Sequence, residues 1–146
     1  MYFVDRKKIE KMLECLEEAV HTFQANETYT NSLERYALER MAQTMIDCVL
    51  DVGNAMIDGF IMRDPGSYED IIDILIDEKV VSEEAGEELK KVIFLRKMLV
   101  QNYIEMDHEV VYNTVKEQMA ALVNYPVNVR RYLEQELGPV SAFVPQ

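Results

Sequence analysis

Between Asn31 and Met62 apolar side chains recur at intervals of three and four: Leu33, Tyr36, Ala37, Met41, Met45, Val49, Met56 and Phe60. That spacing is the period of one face of an α-helix, and no stretch of the chain shows the sustained alternation of a half-buried strand. Leu38, Ile46, Leu50, Val52, Ile57 and Ile61 widen the apolar stripe, which places this helix at the centre of its neighbours. The fold expected is all-α, a single up-and-down-type bundle of about five helices.

The other four helices follow from periodicity and punctuation. The first runs from about Asp5 to Gln24, with Ile9, Met12, Leu13, Leu16, Val20 and Phe23 on one face, and a polar connection spans Asn26 to Asn31. Asp64-Pro65-Gly66 stops the long helix. Ser67 is placed to cap a short third helix, Tyr68 to Lys79, with Asp70 at the capping-box position. Val80 and Val81 form a brief connector, and Ser82 caps a fourth helix from about Glu83 to Met106. That helix is expected to bury Leu89, Val92, Ile93, Leu99 and Val100. Asp107 caps a fifth, which continues through Val111, Val115, Met119 and Leu122 to Leu137, with a kink expected at Pro126. Gly138-Pro139 ends it, so residues 1–138 read as one helical domain and 139–146 as a short loose tail.

A chain of 146 residues with 49% apolar content holds one domain with a sizeable core and needs no metal or disulfide to fold. The longest apolar runs, such as Val92 to Leu95, are far too short to span a bilayer. The start, Met1-Tyr2-Phe3-Val4 followed by Asp5-Arg6-Lys7-Lys8, has no signal-peptide core, so a cytoplasmic protein without membrane attachment is expected. Cys15 and Cys48 lie within amphipathic patterns and read as small core hydrophobes. His21 and His108 are isolated, and no zinc-type ligand spacing occurs, so no metal is expected. The five glycines form no phosphate loop, and no cofactor is implied. The net charge of −12 argues against tight non-specific binding to nucleic acid and against DNA as a partner. It leaves room for RNA at a small basic site, and Lys90, Lys91, Arg96 and Lys97 form one dense basic cluster.

Two constellations stand above this background. Asp47, Asp51, Asn54 and Asp58, spaced by four, three and four, share one face of the long helix. They read either as a solvated face or as the lining of a binding site or dimer groove. The second is Arg96-Lys97-Met98-Leu99-Val100-Gln101-Asn102-Tyr103. On one straight helix Arg96 and Tyr103 lie about 20° apart, whereas Gln101 is about 140° from Arg96. A neighbouring helix, or a second copy of this one across a two-fold axis, would be needed to converge all three. An arginine among core residues also needs a partner, and Asp47 or Asp51 is the natural carboxylate.

The residues Arg96, Leu99, Val100, Gln101 and Tyr103, followed by Asp107, resemble the signature of the HepT-like proteins of the HEPN superfamily: Arg, four residues, His, one residue, Tyr. The resemblance extends over Leu33-Glu34-Arg35 to Asp51-Val52-Gly53-Asn54, over Pro65-Gly66-Ser67-Tyr68, and over Glu78 to Leu89. It implies a small all-helical homodimer, a metal-independent ribonuclease or toxin, with arginine and histidine of both subunits lining an interfacial cleft. It also implies a small nucleotidyltransferase antitoxin as partner, which in some systems attaches AMP to the motif tyrosine. Arg96 then carries over as the phosphate-binding catalytic residue and Tyr103 as the modification site.

The chain departs from that signature where proton transfer is required. Gln101 stands in the histidine position. Histidine titrates near neutrality, whereas a glutamine amide hydrogen-bonds without exchanging a proton. His108, seven residues on, would substitute only if the helix ended and folded back. Whether the chain is an enzyme turns on this position. The leading expectation is a HepT-like homodimer with lost or weakened ribonuclease activity, binding RNA or a nucleotide at Arg96 or pairing with a nucleotidyltransferase. Asp47, Asp51 and Asn54 are its candidate binding residues. The alternatives are an active ribonuclease toxin, with Arg96 aided by Tyr103 or Gln101, and a purely structural helical partner.

Overall fold

Five of the helices among the described residues begin where a short polar side chain satisfies a free backbone amide. In the computed structural model, which describes residues 2–139, these are Asp5 for α1 (Arg6–Ala25), Asn31 for α2 (Ser32–Gly59), Ser67 for α3 (Tyr68–Asp77) and Ser82 for α4 (Glu83–Ile93). Asp107 does the same for α6 (His108–Glu117). The short α5 (Arg96–Val100) and the long α7 (Met119–Leu137) start without a side-chain cap, because each continues from the helix before it. Among the described residues the fold is all helical, as expected. Most of the expected tail, residues 140–146, lies outside them.

Seven α-helical segments stand among the described residues where about five helices were expected, because two of the five are interrupted. Helices α4 and α5 replace the single fourth helix. Phe94 and Leu95 keep right-handed backbone angles, but the Leu95 N–H bonds the Val92 carbonyl at 3.0 Å, a tightened turn that re-aims the chain. The turn leaves Phe94 73% exposed while Leu95 is buried. Helix α5 then stops at Val100, a 3₁₀ turn covers Tyr103–Glu105, and Met106 is extended. The fifth helix is broken at Gln118, between α6 and α7. Pro126 lies buried inside α7, and the break falls eight residues before it.

Helix α2 is the central element, with α1, α3, α5 and α6 packed on it. Its core side keeps Met45, Val49, Met56 and Phe60 of the first stripe read in the sequence and departs from it only in the first turns. Leu38 is fully buried, and Tyr36, 200° away around the helix, is therefore turned outward, as is Leu33. Val100 is likewise exposed while its neighbour Leu99 is buried. Helix α7 reaches α2 through Tyr125, whose hydroxyl donates to the Val49 carbonyl at 2.9 Å. Gly53 makes the approach of α3 possible, since a Cβ there would lie 2.5 Å from Cγ2 of Ile71. Arg130 of α7 clamps α1 by bonding both Glu10 and Glu17 at 2.8 Å. No helix is long and apolar enough to cross a membrane among the described residues.

Candidate functional site

Arg96 is the first residue of α5, set by the turn at Leu95 on the flank of α2. Its guanidinium lies over the ring of Tyr68, 4.4 Å from the centroid. Tyr68 in turn is fixed as the first residue of α3 by the Ser67 cap. Within the subunit Arg96 forms no ion pair with Asp47 or Asp51 among the described residues, which corrects the expected pairing for the same subunit alone. The stacked ring takes the place of the carboxylate, and a guanidinium over an aromatic face is held without neutralising its charge.

Asp47 still senses Arg96. Its carboxyl is pushed above the usual range, first by burial and then by repulsion from Asp51, while Arg96 and Arg40 pull it back. It therefore sits half-buried within the field of two guanidiniums and bonded to neither. Asp51, Asn54 and Asp58 are exposed. Within one subunit the four-residue stripe is thus three exposed side chains and one half-buried member, Asp47, in the field of the arginine.

Gln101 closes α5, where its backbone N–H bonds the Lys97 carbonyl at 2.9 Å and its side chain is exposed. Tyr103 begins the 3₁₀ turn with 66% of its surface exposed. No hydrogen bond or ring contact among the described residues links either to Arg96, so one subunit brings together Arg96, Tyr68 and Asp47 but not the full set. The chain does fold back after α5. His108 meets Glu39 of α2, with Nε2 and Oε2 2.6 Å apart. Glu39 lies eight residues before Asp47, about 12 Å along the helix axis, so His108 is remote from Arg96 within the subunit. Arg40 and Glu39 had no role in the sequence reading. Tyr68 was visible as the start of the third helix and as part of the family resemblance, and His108 as an isolated histidine able to stand in for Gln101 only if the chain folded back.

The cysteines divide. Cys48 is buried, as expected, and burial with Cys15 close by pushes its thiol up to about 12. Cys15 is exposed, which corrects the core role expected for it. No group of three or more histidine, cysteine or acidic side chains among the described residues is placed to hold a metal ion.

The family model described as Ribonuclease HepT-like matches residues 9–129, spanning both the α2 face and the segment from Arg96 to Tyr103. The chain belongs to the HepT-like family. It is 53% identical over 143 residues to the "Putative RNase YutE" of Bacillus subtilis (strain 168), covering 98% of this chain and 99% of that one. The solved structure of the cytosolic YutE protein of B. subtilis superposes with a TM-score of 0.95, over 98% of this chain and 100% of that one. A tri-AMPylated HEPN toxin of Shewanella oneidensis, solved in complex with its MNT antitoxin, superposes with a TM-score of 0.75. At 15% identity over 84% of this chain and 96% of the other, that likeness is one of fold. The HepT-like resemblance read from Arg96 to Tyr103 and from the long helix is thereby established.

Proposed function

We propose that this HepT-like chain acts in the cytoplasm as a homodimer with lost or greatly weakened ribonuclease activity, and that it keeps a binding role for RNA or a nucleotide at Arg96. The observation that carries the reading is Gln101 at the histidine position. Cleaving a phosphodiester without a metal requires one group to accept a proton from the attacking hydroxyl and one to protonate the leaving oxygen. Gln101 does neither. Arg96 retains what phosphate binding needs: a cation with no carboxylate bonded to it, held by Tyr68 and partly open to solvent.

Val100 at the end of α5 and Tyr103 and Ile104 after it are exposed at 40–84%. Large apolar side chains left uncovered around the motif fit a face closed by a second copy. Tyr103 presents its hydroxyl to solvent, as AMP attachment by a small nucleotidyltransferase partner requires.

The decisive experiment compares the natural protein with Gln101→His and Arg96→Ala on unstructured and structured RNA. The expected result is little cleavage by the natural protein and a gain on the order of 10²-fold or more in Gln101→His. Robust cleavage by the natural protein that vanishes in Arg96→Ala would overturn the reading. In the same preparation, light scattering should report twice the 17.0 kDa chain mass.

One observation favours a second reading, the active ribonuclease toxin. Helix α5 does end at Val100, and the returning chain holds His108 against Glu39. In a dimer that pair would have to reach the Arg96 of the other subunit. Cleavage by the natural protein that is abolished in His108→Gln, with the melting temperature unchanged, would decide for it.

A further inference from the structure

Beside the Arg96 site lies an open groove between α1 and α2, with a volume of about 340 Å³. Lys8, Lys11 and Cys15 line it from α1, at spacings of three and four that set them on one helix face. Arg40, Asp47 and Cys48 line it from α2. Three cations face two carboxylates, since Asp51 also borders the groove. In a chain of net charge −12 this is a local reversal of sign.

Not every cation of the fold is free to meet an anion. Arg63, Lys90 and Arg130 are each bonded to carboxylates at the surface. Lys8, Lys11 and Arg40 form no ion pair among the described residues. Asp47, in the field of both Arg40 and Arg96, joins the groove to the arginine site. Tyr68, 48% exposed, carries Arg96 over one face of its ring.

We infer that the α1–α2 groove is a track for the phosphate backbone of single-stranded RNA, with Lys8, Lys11 and Arg40 each meeting a phosphate as the strand runs to Arg96. The inference rests on the reading of Arg96 as an RNA-binding residue and extends it by naming the form of the RNA and its path. A groove whose cations can follow a phosphate backbone is one of the means by which single strands are held without sequence preference.

Salt dependence and a built-in reporter test it. Each phosphate neutralised on a single strand contributes a slope of roughly 0.7 in log affinity against log salt. Replacing Lys8, Lys11 and Arg40 together by glutamine should therefore reduce the slope by about 2 for a labelled single-stranded RNA followed by anisotropy. Affinity should fall at least tenfold at low salt. Replacing Lys7, Lys79 and Lys116 by glutamine makes the same change in net charge away from the groove and should leave most of the affinity in place. Cys15 is exposed in the groove and Cys48 is buried, so N-ethylmaleimide should label Cys15 alone. Saturating RNA should slow that labelling severalfold, read by mass spectrometry on the full-length protein.

If RNA binds and Arg96→Ala weakens it, while Cys15 reacts at its free rate and the groove variant keeps its slope, the track is wrong and the Arg96 reading stands. If the two triple variants lose affinity equally, the attraction is general and the track is again wrong. No binding of RNA by the natural protein at low salt would remove the Arg96 reading and the track with it.

Discussion

Two aspartates show opposite responses to their surroundings. Asp70 accepts two hydrogen bonds from Arg63 at 2.8 Å and one from the Gly66 N–H, which together hold its carboxyl down at about 2. A carboxyl depressed on folding stabilises the fold above its unfolded pKa, and that contribution is lost as pH falls from near 4 through about 2. Asp70→Asn should therefore flatten the acid limb of a stability–pH curve measured by urea unfolding. Asp47 has its carboxyl raised by burial and by Asp51, so its charge opposes folding above the raised value. Asp47→Asn should raise the melting temperature at pH 7, with the difference shrinking as the pH falls through the titration of Asp47. A lower melting temperature at pH 7 would show that Asp47 is held in place by Arg96 or Arg40 after all. The sequence made Gln101 legible because a motif position is local. The partner of Arg96 was not legible: carboxylates at helical spacing were visible on α2, whereas Tyr68 meets Arg96 only through the packing of α3 and α5.

The helix ends carry the same lesson one level up. Helix α3 closes with the Val80 N–H on the Leu75 carbonyl at 2.8 Å, a turn that places Lys79 at φ 63. That left-handed position favours glycine. Lys79→Gly should stabilise the protein by about 0.5–1 kcal/mol, the strain relieved exceeding the added freedom of the unfolded chain. Unchanged or lower stability in chemical denaturation would contradict this. Starts of helices were legible because Ser67, Ser82 and Asp107 bond amides three residues away. Asp70 was expected to complete a capping box, but its carboxylate turns to Arg63 and Gly66 instead. The breaks at Leu95 and Gln118 carry no glycine or proline. Each is made by where the neighbouring helices need a side chain, and Gln118 is itself buried.

Across the whole molecule, α2 is where stability and site are coupled. The all-helical class followed from its long period, which only a helix satisfies. Which side would face the core was set by α1, α3 and α7 arriving from elsewhere in the chain. At Gly53 the methyl group of an alanine would press on Ile71 and approach the Tyr125 hydroxyl. Gly53→Ala should cost about 1–3 kcal/mol through overpacking, despite the better helix propensity of alanine. A gain in stability would show that α3 can shift away freely. From Met41 to the end of α2, Asp51, Asn54 and Asp58 are the exposed residues. Nearly every other position there is tied to packing, so this edge beside Arg96 is where substitutions accumulate at little cost to folding. Descendants of this chain can thus change what they recognise by altering a few polar side chains, while inheriting the same scaffold intact.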